Sequence, residues 1–171
     1  MFWYFVLNDK LDKKNLILPS KLYKAYWLGR YVERVDSITR SLLSALHTLK
    51  NLKSEEPLIS LADSLGIEFT KREKFLEVIL HGDISSSVLY AVRNMRTNAM
   101  GLGIDRLVRE SNILVIAVEE RPDLQNIDEV IKHANDVVAA INNLGRVIDE
   151  EIAPPKISDD TRQNQTRHQQ Q

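Results

Sequence analysis

The chain has 171 residues, with 23 Lys and Arg against 24 Asp and Glu and a net charge of −1; the length suits one domain, and the charge balance excludes the strongly basic surface of a dedicated nucleic-acid binder. Cysteine is absent, which excludes a disulfide framework, a thiol nucleophile and Cys-ligated zinc. Apolar residues at 43% and charged residues at 27% fit a soluble globular protein, and only 6 glycines and 5 prolines leave room for long uninterrupted helices.

Met1 to Leu7 is an apolar run, too short for a bilayer span, which takes about 20 residues. It has neither the basic start nor the small-residue cleavage site of a signal peptide. It reads as a short strand or hook that buries Phe2, Trp3 and Phe5 on the domain or on a partner. No membrane association is expected, and the expected location is cytoplasmic. Residues 1–15 are therefore read as an apolar segment and linker, 16–153 as the helical domain, and 154–171 as a disordered polar tail. Pro154-Pro155 stops a helix, and beyond it only Ile157 is apolar.

Pro19 and Ser20 open a first long helix, with Ser20 placed to cap its free amides. Leu28, Tyr31, Val35, Ile38, Leu42, Ala45, Leu49 and Leu52 alternate in steps of three and four. Val32 and Leu46 widen this stripe to the breadth of a bundle face. Pro57 starts a short second helix that ends before Gly66. Thr70-Lys71-Arg72-Glu73 fits a capping box for a third helix running to His81, with Gly82 as its left-handed terminator. A further long helix begins near Ser85 and turns Val88, Val92, Met95, Ala99 and Leu102 inward. Gly101 and Gly103 predict a bend in it, with helix resuming through Leu107 and Ser111 toward Val118. Ile113 to Ile116 has strand propensity, but no neighbouring strand pattern offers it a partner. The last helix spans about residues 127–152, with Ile127, Val130, Ala134, Val137, Ile141, Leu144 and Ile148 on one face. Together these make an all-α, up-and-down helical bundle of three long and about two short helices.

Charge is uneven along the chain. Ser20 to Glu55 holds seven basic and three acidic residues, whereas Glu119 to Asp160 holds four basic and eleven acidic. The first and last helices attract each other, within the fold or between subunits, or else present two solvated faces of opposite sign.

Few motifs carry chemistry. There is no G-x-S-x-G nucleophile elbow and no G-x-x-x-x-G-K-[ST] phosphate loop. Gly101-Leu102-Gly103 lacks the third glycine of a dinucleotide loop. No cofactor is expected. Glu77/His81 and Glu129/His133 are i,i+4 pairs, each on one helix face. A di-iron bundle needs Glu-x-x-His at i,i+3, so these read as helix-surface pairs and no metal site is assigned.

The informative stretch is Tyr26 to Arg40. On a helical wheel Arg30, Glu33, Arg34, Ser37, Arg40, Ser41 and Ser44 form a polar column away from the apolar stripe. Two readings stay open. A second helix approaches across Gly29 and the serines, and the guanidinium groups are partly buried against carboxylate or phosphate partners. Alternatively the column is a solvated face whose ion pairs contribute little.

The same stretch resembles the N-terminal signature of the alpha-E family: an aromatic residue, Trp, then Leu-Gly-Arg-Tyr-hydrophobic-Glu-Arg, with another Arg one and a half turns on. Tyr26 to Arg34 and Arg40 match it. A second match runs from Asp83-Ile84-Ser85-Ser86-Ser87 to Ala91-Val92-Arg93-Asn94-Met95-Arg96, where the family has an Asn-Pro-Ser-Ser-like turn and Ala-Arg-Glu-Asn-Ala-Arg. Asp105 stands where the family prefers Glu, and Leu107 where it has Trp. The resemblance covers about residues 20–111. It implies an all-helical protein associated with ATP-grasp ligase-like and transglutaminase-like proteins, and hence with making or modifying a peptide. Typical members are nearly twice this length and carry a second such segment, of which Asn143 to Glu150 is a partial echo. A homodimer in which two chains supply both halves is therefore expected.

On this footing Arg30, Glu33, Arg34, Arg40, Asn94 and Arg96 are the expected polar cluster, between the first helix and the one that starts near Ser85. The cluster locks the bundle or holds an anion. The expected function is that of a non-catalytic accessory or scaffold protein of an ATP-grasp-type peptide ligase system. The alternatives are an enzyme using that cluster on an anionic acyl or peptide substrate, and a helical regulator unrelated to ligases.

Overall fold

A computed structural model describes residues 19–152. The expected apolar segment and linker (1–15) and the polar tail (154–171) lie outside the described residues. Six helices account for the described chain: α1 (Pro19–Leu52), α2 (Glu56–Leu65), α3 (Arg72–His81), α4 (Val88–Leu102), α5 (Asp105–Glu119) and α6 (Ile127–Ile152). Among the described residues there is no strand.

Helices α1, α4, α5 and α6 pack in a ring, each against the next. Cross-helix contacts fix their directions. Gly101 near the end of α4 sits against Lys24 near the start of α1. Arg40 and Lys50 of α1 reach Asn142 and Asp128 of α6. Arg106 of α5 bonds Glu150 and Glu151 of α6, and Arg93 of α4 bonds Glu119 of α5. Every neighbouring pair is antiparallel, which is an up-and-down four-helix bundle. Helix α2 packs back along α1, while α3 covers α4 and α5. The basic first helix and the acidic last one do meet within the fold, through the Lys50–Asp128 pair at 2.6 Å.

The core follows the periodicity. Leu28, Val35, Leu42 and Leu46 of α1 are fully buried, with Val92 and Met95 of α4, Leu107 and Leu114 of α5, and Val137 and Leu144 of α6. Each such side chain contributes about 1.5–3 kcal/mol over its exposed state. Two residues of the expected α1 stripe depart from it. Tyr31 is half-buried and lines a surface cleft, and Leu52 is exposed. Lys50 already pairs with the second residue of α6, so the last turn of α1 overhangs its partner.

Helix ends show where local signals were overridden. Ser20 lies inside α1 and is not its cap. The expected capping box at Thr70 is not formed: α3 starts at Arg72 behind Lys71, with no side-chain cap. Glu73 turns instead to Arg72 at 3.5 Å. Gly82 is not left-handed; its φ of −65° and ψ of 152° are extended. Its requirement is space, because a Cβ there would lie 2.5 Å from the carbonyl oxygen of Val78. Gly103 does adopt the left-handed conformation, with φ of 70°, a geometry that glycine enters without steric penalty. There the expected bend is a complete reversal, so the long helix expected from Ser85 onward is two antiparallel helices. Ile113 to Ile116 is helical. Leu114 and Val115 are buried while Ile113 and Ile116 are exposed, a helical division of faces and not the alternation of a strand.

Gly101 offers a contrast to Gly82. It lies inside α4, and a Cβ there meets only the end of the flexible Lys24 side chain. Gly101→Ala is therefore expected to raise stability by about 0.5–1 kcal/mol through helix propensity. A lowered midpoint in urea denaturation would show that Lys24 cannot move aside.

Candidate functional site

Helical periodicity divides the Tyr26–Arg40 stretch into two halves. Leu28, Gly29, Val32 and Val35 face the core. Arg30, Glu33, Arg34 and Ser37 face outward and line a cleft of about 410 Å³, with Trp27, Tyr31 and Ile38 of α1 and Leu65 at the end of α2. Arg30 and Arg34 are one turn apart, so their side chains project from the same side of α1. Both are exposed. Arg30 pairs with Glu33 at 3.8 Å, with the Arg30 side chain 53% exposed, a geometry that contributes little to stability.

An aromatic cluster builds the apolar wall. Trp27 lies 6.0 Å from Tyr23, 5.6 Å from Tyr26 and 5.9 Å from Tyr31 by ring centroids, within the range of favourable ring pairs. Its indole Nε1 is buried and has no hydrogen-bond acceptor among the described residues.

The six expected site residues do not join in one cluster. Arg30, Glu33 and Arg34 share the cleft. Arg40 is a locking residue: its Nε donates to Asp36 at 2.7 Å and its guanidinium to Asn142 at 3.2 Å, which ties α1 to α6 rather than to α4. Asn94 donates to the carbonyl of Tyr90, one turn back on its own helix. No hydrogen bond or ion pair links Asn94 or Arg96 to Arg30, Arg34 or Arg40. Of the two readings left open for the polar column, the exposed Arg30, Arg34 and Arg40 fit the solvated face and not burial against a second helix. A buried anion clamp works because it excludes water, and these guanidinium groups are open to it. Trp27 and Tyr31 belonged to the signature but not to the expected cluster. Leu65 carried no signal in sequence, since only the return of α2 along α1 brings it there.

The two Glu/His pairs converge in a way that spacing could not show. The rings of His81 and His133 lie 5.8 Å apart. The His81 side chain is 1% exposed and His133 is 5% exposed. Nε2 of His81 approaches the carbonyls of Val118 at 2.7 Å and Glu120 at 3.2 Å. Carbonyls only accept, so this nitrogen carries the hydrogen. His81 Nδ1 and His133 Nε2 are buried without hydrogen-bond partners among the described residues. Glu77, 3.9 Å from His81 Nδ1, also pairs with Arg121, and Glu129 accepts from the backbone of Asp123. Among the described residues no group of three or more His, Asp or Glu is placed to hold a metal.

Burial, reinforced by the neighbouring His81, holds the His133 imidazole below its ordinary value against a smaller upward pull from Glu120 and Asp136. The folded state thus refuses a proton that the unfolded chain accepts below about pH 6.5. The contribution is complete above that pH and is lost as pH falls through it, by at most about 1.4 kcal/mol per pH unit. His133→Leu is expected to remove this loss, so urea midpoints of the two proteins should diverge in the variant's favour between about pH 7 and 5.5. Parallel curves would show that His133 does not carry the acid sensitivity.

The Alpha-E family model, described as a predicted alpha-helical domain with a conserved ER motif, matches residues 19–111. That span runs from the start of α1 into α5 and contains a single Glu-Arg dipeptide, Glu33-Arg34, which lines the cleft. No curated protein and no solved structure matches. No described helix is long and apolar enough to cross a membrane.

Proposed function

This chain belongs to the Alpha-E family, and on that premise we propose that it is a non-catalytic accessory subunit of an ATP-grasp-type peptide ligase system, working by protein–protein contact in the cytoplasm. The observation that carries the contact role is the division of its signature. Leu28, Gly29 and Val32 build the core, while Arg30, Glu33 and Arg34 are left on an open cleft. A signature needed only for packing does not require two exposed arginines beside an aromatic wall. The ligase class of the partner is supported by the family resemblance. A homodimer belongs to the same reading, motivated by the partial echo of the signature at Asn143 to Glu150.

The test is photo-cross-linking in native cells from position 37, with Ser37 replaced by benzoylphenylalanine. Ser37 is exposed and lines the cleft. Ile113, exposed on α5, serves as the control position. An adduct specific to position 37 and containing an ATP-dependent ligase-like protein is expected. The same adducts from both positions, or a specific adduct with an unrelated protein, would overturn the reading. The mass of the purified protein in solution decides the dimer.

A further inference from the structure

If the exposed half of the signature is a contact face, as proposed above, its chemistry narrows what it contacts. The cleft is rich in donors. Arg30 and Arg34 have no acceptor atoms, and the Ser37 hydroxyl can donate. Against these, Glu33 is the only carboxylate lining it among the described residues. The remaining walls are apolar or aromatic: Tyr31, Ile38 and Leu65.

We propose that the cleft takes an acidic peptide segment from a partner protein. A ligand carboxylate sits against Arg30 and Arg34, which are spaced to share it or to take two neighbouring ones. An adjacent apolar side chain lies on Trp27, Tyr31, Ile38 and Leu65. A polyphosphate fits less well. Glu33 places a negative charge within the cleft, and the site lies along the flank of α1, away from the helix N-terminus that favours phosphate binding.

The test uses the full chain with Trp3→Phe, which leaves Trp27 as the single indole of the two tryptophans. Acetyl-Glu-Phe-Glu-Leu-amide, its Gln-Phe-Gln-Leu counterpart and Mg-ATP are titrated while Trp27 emission is followed. Saturable binding of the Glu peptide is expected. The Gln peptide should bind at least about tenfold more weakly, the loss of charge-assisted pairs. Arg30→Gln with Arg34→Gln should produce a similar loss for the Glu peptide, and so should raising the salt from about 0.05 to 0.5 M. Both arginines are exposed, so the double variant keeps its helical circular dichroism and its melting point. Equal affinity for the two peptides, tighter binding of Mg-ATP, or no saturation by about 5 mM Glu peptide would each overturn the proposal. So would a concentration-dependent emission change without peptide that the double variant abolishes, since the occupant would then be a second copy of the chain. A ligase-like adduct at position 37 without Glu/Gln discrimination would remove the ligand class and leave the proposed function. Discrimination with a partner of another kind would do the reverse.

Discussion

Leu28→Ala is expected to lower the unfolding free energy by about 2–5 kcal/mol, while Arg34→Gln, on the other side of the same helix, changes it by less than about 0.5 kcal/mol. The two residues belong to one short signature, and the difference comes from what each touches. Leu28 is fully buried in the core of the bundle, so truncation removes apolar burial and leaves a cavity that packed helices close only in part. Arg34 is exposed, so its loss removes no packed volume. Urea denaturation of both variants measures the contrast. Destabilisation of the Arg34 variant by more than about 1 kcal/mol would mean that this arginine locks the fold, and the cleft would lose its claim to be a binding face. A mild effect at Leu28 would mean that α1 repacks freely.

The second large effect is expected at the turn between α3 and α4. Gly82→Ala should cost about 1–3 kcal/mol, in the range of overpacking in a tight interior. The added Cβ would lie 2.5 Å from the backbone oxygen of Val78, which is held by the amide of Gly82 at 2.9 Å. Neither group can swing away as a long side chain does. The same turn is held by Ser87, which is fully buried. Its hydroxyl donates to the Gly82 carbonyl and accepts from the amide of Tyr90 at the start of α4. Pushing Gly82 aside therefore disturbs an N-cap worth about 1 kcal/mol. A thermal midpoint unchanged by Gly82→Ala would show that the turn relaxes without loss. With Gly101→Ala expected to stabilise, the pair separates a glycine kept for space from one that is merely tolerated.

Much of the fold was legible before any tertiary contact was known. The stripe from Leu28 to Leu49 and the inward faces of α4 and α6 came straight from periodicity, because a 3.6-residue repeat of apolar side chains forms a stable helix only where one face meets a core. Helix ends are less legible. Thr70-x-x-Glu73 has the letters of a capping box, yet Glu73 turns to Arg72, which offers it a charge where the cap offers an amide. Gly101-x-Gly103 marked an interruption but not its size. Whether the chain bends or reverses depends on a left-handed φ at Gly103 and on a face of α4 that α5 can cover.

The site divides along the same line. That Arg30, Glu33 and Arg34 share a side of one helix is a statement about one turn, and the amino-acid order determines it. That they remain open to water, while Arg40 is drawn to Asn142 of α6 and Asn94 is bonded within its own helix, depends on which helices become neighbours and at what height. Leu65 in the cleft wall, and His81 against His133, depend on the same choice. The helices, their buried faces and the pairs within a turn follow from residue order, because those interactions act over three or four residues. Which charges are locked, which stay exposed and which imidazoles meet come from packing, because they depend on the register between helices distant in the chain.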